Sequence, residues 1–141
     1  MDMTKQYIAF FISLAAIAGS LFFSEVMKFP PCTLCWYQRI FIYPLAFLIP
    51  VGILLKDVNL RVYSLSLLVP GALIALYHNL LYYKIIPEEI SPCREGVSCT
   101  TKQLELFGFI TIPLLSLITF LFLIGLFWKA KIVETPLRES R

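Results

Sequence analysis

A chain of 141 residues that is 59% hydrophobic and 15% charged lacks the polar surface of a soluble domain, which carries about 25% charged residues. Its net charge of +3 is small and scattered, which argues against a nucleic-acid partner. The composition places the chain in lipid.

Charged residues punctuate four apolar stretches. The first is uncharged from Gln6 to Ser24 and predicts a span over about 7–27. Lys5 precedes it and Ala16-Ile17-Ala18 resembles a signal-peptide cleavage site, but the apolar run continues through Phe22-Phe23, so the segment is read as retained. The second stretch, Ile40 to Leu55, reaches bilayer length only if its helix starts near Cys35 and takes in Arg39, giving 35–55. The third and fourth predict spans over 62–83 and 106–128. A helix of about 22 residues at 1.5 Å per residue matches a hydrocarbon core of ~30 Å. Pro44, Pro50, Pro70 and Pro113 fall inside these spans and predict kinks, which a bundle in lipid tolerates when neighbours re-satisfy the freed carbonyls. The expected fold is all-α, an integral membrane four-helix bundle forming a single domain over 1–141, with outer loops over 28–34 and 84–105.

Orientation follows from the basic residues near the span ends. With the N-terminus cytoplasmic, Lys5, Lys56, Arg61, Lys129, Lys131, Arg138 and Arg141 lie inside, and Lys28, Arg39, Lys84, Arg94 and Lys102 outside, a split of seven against five. Both termini are then cytoplasmic. Whatever the orientation, the loops after the first and third spans share a face. Cys32 and Cys35 end the first of these loops and Cys93 and Cys99 lie in the other, so all four cysteines are expected together. The basic bias puts them on the outer face, where disulfides persist.

Two cysteine pairs on one face admit several chemistries. A four-thiolate zinc site is one, although the five residues between Cys93 and Cys99 exceed the usual knuckle spacing. A c-type haem needs histidine directly after the second cysteine of a CxxC, where Trp36 stands. Plain structural disulfides add little to a bundle held in lipid. Redox exchange, one pair passing electrons to the other, is favoured by the placement of Cys35. Pro30-Pro31 precede the pair, so the second helix starts near Cys32, and a thiol at a helix N-terminus is stabilised as thiolate. Arg39 follows Cys35 by one turn on the same face, and a charge at membrane depth is rare and usually functional.

Cys32-Thr33-Leu34-Cys35-Trp36-Tyr37-Gln38-Arg39 resembles the signature of the DsbB family of membrane disulfide oxidoreductases, most of all its short BdbC-type members in Gram-positive bacteria. Tyr77-His78-Asn79-Leu80-Leu81 resembles the family's third-helix segment. Cys99 followed by Gln103, Phe107-Gly108 and Pro113 resembles its entry to the fourth helix. The resemblance implies an enzyme of the bacterial plasma membrane, a protein-disulfide:quinone oxidoreductase. It would reoxidise an extracytoplasmic thioredoxin-like thiol oxidase (DsbA/BdbD-like) and pass the electrons to a membrane quinone, menaquinone or ubiquinone. Carried over by residue, Cys93 and Cys99 face the partner, Cys32 and Cys35 face the quinone, Arg39 holds and polarises the quinone, and His78 lies near it or relays protons. Two features depart from the family pattern: the loop cysteines are close in sequence, and Gln38 stands where some members carry an acid.

Glu25, Glu88, Glu89 and Glu95 read as solvated loop charges, and Ile85-Ile86-Pro87 as an interfacial ledge. Two rival functions stay open, a vitamin K epoxide reductase-like quinone reductase and a cysteine-pair metal-ion transporter. The apolar stretches 6–24, 40–55, 62–83 and 106–128 offer a metal no cysteine or acidic ligand.

Overall fold

The computed structural model describes residues 2–93, 98–100, 105–106 and 110–129. Five α-helices form the bundle: α1 (Met3–Leu21), α2 (Thr33–Ile42), α3 (Leu45–Leu54), α4 (Leu60–Tyr82) and α5 (Ile112–Trp128). A π-helical turn, Phe22–Val26, extends α1, and α2 and α3 together make one span. Three apolar spans, Met3–Val26, Thr33–Leu54 and Leu60–Tyr82, are long enough to cross a bilayer, and α5 is a shorter apolar helix. The chain is therefore a helical, multi-pass membrane bundle. Large apolar side chains face outward, as Phe47 (76% exposed), Leu54 (82%) and Leu73 (62%) show, because lipid and not water is the surrounding solvent.

The four prolines differ in effect. Pro44 divides α2 from α3: it has no N–H to offer the Ile40 carbonyl, and the chain turns there through bonds from Ala46 N to Tyr43 O (3.1 Å) and Leu48 N to Pro44 O (2.8 Å). Pro50 and Pro70 lie inside α3 and α4 without interrupting either helix. Pro113 sits in the first turn of α5, where its missing N–H would have no helical partner.

The last helix begins later than the expected 106. Glu105–Leu106 and Ile110–Thr111 form a short antiparallel ladder with Leu106 opposite Ile110. Thr111 then caps α5, its Oγ1 accepting from Leu114 N at 3.4 Å. A continuous apolar run carries no mark of where the cap falls.

Helices α3 and α4 end alike. Lys56 and Lys84 adopt φ of 50° and 56°. Asp57 N reaches Gly52 O (2.9 Å) and Ile85 N reaches Leu80 O (3.0 Å), the bond pattern of a Schellman motif. Glycine is the usual residue there; lysine complements the negative helix end and reaches the interface.

Packing concentrates where α4 meets α5 and where α2 meets α4, while α1 lies against α3 and α5. The main core joins Ile42, Leu45, Ile49, Leu68, Phe120 and Leu123. A second, smaller core at the loop end of the bundle is built on Cys32, Leu34, Leu81 and Cys99. The α4–α5 contact needs Gly71, since a Cβ there would collide with the Phe120 ring, which is 1% exposed. Small residues of this kind let membrane helices approach closely. A Gly71→Val chain should lose roughly 1–3 kcal/mol of stability by overpacking. Gly125, with nothing near its Cβ position, should accept alanine at no loss. Thermal unfolding of both variants in detergent checks the contrast.

Candidate active site

The site forms because α2 starts at the cysteine pair. Cys32, with extended backbone (φ −75°, ψ 171°), is the N-cap of α2, and Trp36 N closes the first turn on Cys32 O at 3.2 Å. Cys35 therefore lies in the first turn, its Sγ 3.0 Å from Cys32 Sγ, and the two are not bonded to each other. The loop pair is bonded: Cys93 and Cys99 form a disulfide with a Cα separation of 5.8 Å. Sγ of Cys32, Cys93 and Cys99 all lie within 4.8 Å of one another. The expected gathering of both pairs is thus what the structure contains, with Cys32 as the sulfur that meets the loop disulfide. Cys99 is buried (4% exposed) and Cys93 less so.

Cys35 looks the other way. It lines a cavity of about 190 Å³ between α1, α2 and α5, with Phe29 and Pro31 at its loop end. Arg39 and Gln38 line the same cavity, and the remaining wall is mostly apolar, from Ala16, Ile42, Leu115 and Phe120 among others. Arg39 is 9% exposed. Its Nε donates to Ser20 Oγ (2.9 Å), and its Nη2 donates to Ser20 O (3.0 Å) and to Ser24 Oγ. Its guanidinium also lies 5.3 Å from the Trp36 ring centroid. The π-helical turn that follows Leu21 widens α1 where these acceptors are presented, a frequent device at functional sites. Among the described residues no carboxylate pairs with Arg39.

His78, on α4, is outside that lining. It is 2% exposed and stands on the sulfur side: Nε2 is 3.8 Å from Cys32 Sγ and 3.3 Å from Cys99 O, while Nδ1 is 3.1 Å from Gln38 Nε2. Gln38 Oε1 accepts from Ser116 Oγ at 2.7 Å, so Gln38 bridges α4 to α5. Gln38, noted in the sequence only for the acid it lacks, is a structural centre of the site. Ser20, Ser24 and Ser116 went unnoticed there; their signal is polarity inside apolar spans, with the first two at i, i+4 on one helix face. Of the ledge Ile85-Ile86-Pro87, Ile85 (68%) and Pro87 are exposed while Ile86 packs against the cysteine core; Arg94, Glu95 and Gln103 lie outside the described residues.

Cys32 precedes the span that begins at Thr33, and its thiol is shifted from 9.0 down to about 4. The Cys35 thiol donating to it is the largest cause; burial opposes the shift, and the hydrogen bond and charge of His78 assist it.

Two cysteine pairs gathered at one end of a membrane bundle, one bonded in a loop and one free on a cavity-lining helix, fit a membrane thiol–disulfide oxidoreductase. The chain belongs to the DsbB family, matching the disulfide bond formation protein DsbB over residues 4–130. It is 42% identical to disulfide bond formation protein C of Bacillus subtilis over 84% of this chain and 86% of the relative. It is also 42% identical to a Bacillus cereus protein described as "Probable disulfide formation protein C 2", over 96% and 99% respectively. A SPbeta prophage-derived disulfide bond formation protein B of Bacillus subtilis is 38% identical over 94% and 88%. No solved structure matches the chain. It is a membrane oxidoreductase of the disulfide-forming kind.

The shift at Cys32 has a measurable sign. A depressed thiol stays thiolate at neutral pH and is neutralised only as pH falls through about 4. With Cys93–Cys99 bonded, far-ultraviolet thiolate absorbance, taken as the difference from Cys32→Ser, should persist well below pH 7. Cys35→Ala, which removes the donor, should move its midpoint upward. A midpoint near 9 in the unsubstituted chain would remove the basis for a thiolate at Cys32.

Proposed function

We propose that this protein reoxidises an extracytoplasmic thioredoxin-like thiol oxidase and delivers the two electrons to a membrane quinone. One observation carries the reading: Cys32 Sγ sits with both loop sulfurs while Cys35, one turn along α2, faces the cavity that Arg39 lines. The residues of that cavity suit a quinone. Its walls are mostly apolar, it lies at membrane depth, and the Arg39 guanidinium on its wall can donate to a carbonyl oxygen. The quinone supplies a two-electron, two-proton acceptor.

The sulfur steps balance within the chain. A partner thiolate attacks Cys93, the more accessible loop sulfur, and the partner leaves oxidised with Cys93 and Cys99 reduced. Cys99 then attacks Cys32 of a Cys32–Cys35 disulfide and Cys35 departs toward the cavity. Attack of Cys93 on Cys99 restores the loop disulfide and releases Cys32, which yields the bonding state described above. Exchange of this kind is favoured by an acidic leaving thiol, which Cys32 supplies. Arg39 orients the acceptor and stabilises negative charge on its oxygen. In this reading both termini are cytoplasmic and the cysteines lie on the outer face.

Reconstitution with a quinone and a reduced thioredoxin-like oxidase, following thiol loss and quinol formation together, tests the reaction. Arg39→Ala removes a charged hydrogen bond of about 1.5–3 kcal/mol, so quinone use should fall ten- to over a hundredfold. Lysine should substitute poorly because it lacks the planar fork. Loading of the partner onto Cys93 in the oxidised enzyme should stay near the unsubstituted rate. Unchanged quinone kinetics in Arg39→Ala would make Arg39 an anchor and refute this site. Cys99→Ser should accumulate a Cys93–partner mixed disulfide and Cys93→Ser should not; the reverse pattern would exchange their roles.

A further inference from the structure

His78 is a buried base at the sulfur junction with a fixed hydrogen-bonding partner on its far side. The line runs from Ser116 Oγ through Gln38 to His78 Nδ1, and from His78 Nε2 to Cys32 Sγ and Cys99 O. Ser116 Oγ also lies 3.0 Å from Pro113 O, and one hydroxyl hydrogen cannot serve two acceptors. A half-turn of the Gln38 amide, at unchanged heavy-atom positions, resolves this. Ser116 then donates to Pro113 O, the amide nitrogen donates to Ser116 Oγ, and the amide oxygen accepts from His78 Nδ1–H. In that arrangement Nε2 faces Cys32 with a lone pair free to take a proton, and the resulting imidazolium keeps its Nδ1–H on Gln38.

We propose that His78 is the proton acceptor of the internal disulfide exchange, paired as imidazolium with the Cys32 thiolate, and that Gln38 is the positioning residue that holds its ring. The inference rests on the relay reading of the two cysteine pairs and not on the quinone site. In the last internal step Cys93 attacks Cys99 of a Cys99–Cys32 bond. The Cys93–Cys99 bond forms, the Cys99–Cys32 bond breaks, and the electron pair stays on Cys32. The proton shed by Cys93 ends on His78 Nε2, so no outside oxidant or base is required. The same proton leaves when Cys32 rejoins Cys35. His78 thus serves the sulfur side of Gln38, and the cavity on its other side is Arg39's.

The charged and titratable groups around this pair are few. From α2 come Cys35 and Arg39, the latter turned toward Ser20 and Ser24 of α1. From the loop come the Cys93–Cys99 disulfide and the Cys99 carbonyl. From α4 and α5 come the neutral Asn79, bonded to Ala75 O and Pro113 O, and Ser116. Tyr77 directs its hydroxyl to Ile90 O. Among the described residues no carboxylate is bonded to His78, so its charge has Cys32 as its counter-ion.

The test uses the full chain in the Cys35→Ser background with Cys93–Cys99 bonded, and neither quinone nor partner. Thiolate absorbance at Cys32 is titrated against a Cys32→Ser/Cys35→Ser blank. An opposite charge in contact shifts such a titration by about one unit or more. His78→Gln should therefore raise the midpoint by about one unit or more, lowering the ratio of thiolate to thiol at Cys32 about tenfold at any given pH. Gln38→Glu, whose carboxylate would hold Nδ1–H and keep the ring charged, should move the midpoint the opposite way, and Gln38→Leu should move it as His78→Gln does. A purely structural histidine would leave the titration in place. Midpoints unmoved by both His78→Gln and Gln38→Glu overturn the proposal, and if the histidine variant fails to fold, the direction of the Gln38→Glu shift decides alone. Failure of the quinone assignment would appear in Arg39→Ala and leave these titrations untouched.

Discussion

The line Ser116–Gln38–His78–Cys32 ties together the parts of the molecule that must not drift. It links α5, α2, α4 and, through the Cys99 carbonyl, the loop that carries the second cysteine pair. The contacts of His78 are buried and that of Ser116 partly so; in such surroundings a hydrogen bond is stronger and an unmade one costs about 1–3 kcal/mol. Apolar packing alone would tolerate sliding of one helix past another in lipid, because hydrocarbon tails compete on equal terms with leucine for contact. A polar register pin does not tolerate it. The site's geometry is thus set by the few polar side chains in spans that are otherwise apolar.

Arg39 shows the same logic at a higher stake. Removing an ion from water carries an effective penalty of several kcal/mol, yet its acceptors are serine oxygens and no carboxylate among the described residues joins them. Three hydrogen bonds from a charged donor, each about 1.5–3 kcal/mol, are of the order needed to hold it. Neutral acceptors leave the positive charge uncancelled, and an uncancelled charge beside an apolar cavity is what an electron acceptor with carbonyl oxygens would use. A carboxylate partner would have made the residue more stable and less useful. The widened turn at the end of α1 supports this choice, because it brings two serines and a backbone carbonyl to one guanidinium.

Much of this was legible in the sequence. Charge punctuation gave the bundle, and loop parity alone put both cysteine pairs on one face. The CxxC-x-x-x-Arg spacing put Arg39 one turn beyond Cys35, and both line the cavity. The boundaries that escaped were local. The start of α5 depends on a threonine cap followed by proline, which hydropathy cannot register, and of four prolines only Pro44 separates two helices. The polar partners escaped for a different reason. Gln38, Ser20, Ser24 and Ser116 acquire meaning only from residues 15 to 78 positions away, and a single sequence does not show which helix faces which. His78 was visible as the lone histidine, but its side of α4, toward sulfur and away from the cavity, is a fact of packing.

The geometry also explains why the two sulfurs of one CxxC can do different work. Cys32 caps α2 and Cys35 lies in its first turn, so the two sulfur atoms stand together at the helix end, 3.0 Å apart, with Cys32 within reach of the loop sulfurs and Cys35 on the cavity wall. One sulfur therefore meets the loop pair and the other meets the cavity, at the separation a small shift can close into a bond. In the proposed relay, that gap is the one short step between the loop pair and the cavity. The helix end is what makes the step directional. Its dipole and the neighbouring donors favour negative charge on Cys32, which suits that sulfur to the leaving role proposed for it. A thiolate held there stands next to the Cys35 sulfur, with which the proposed reaction rejoins it.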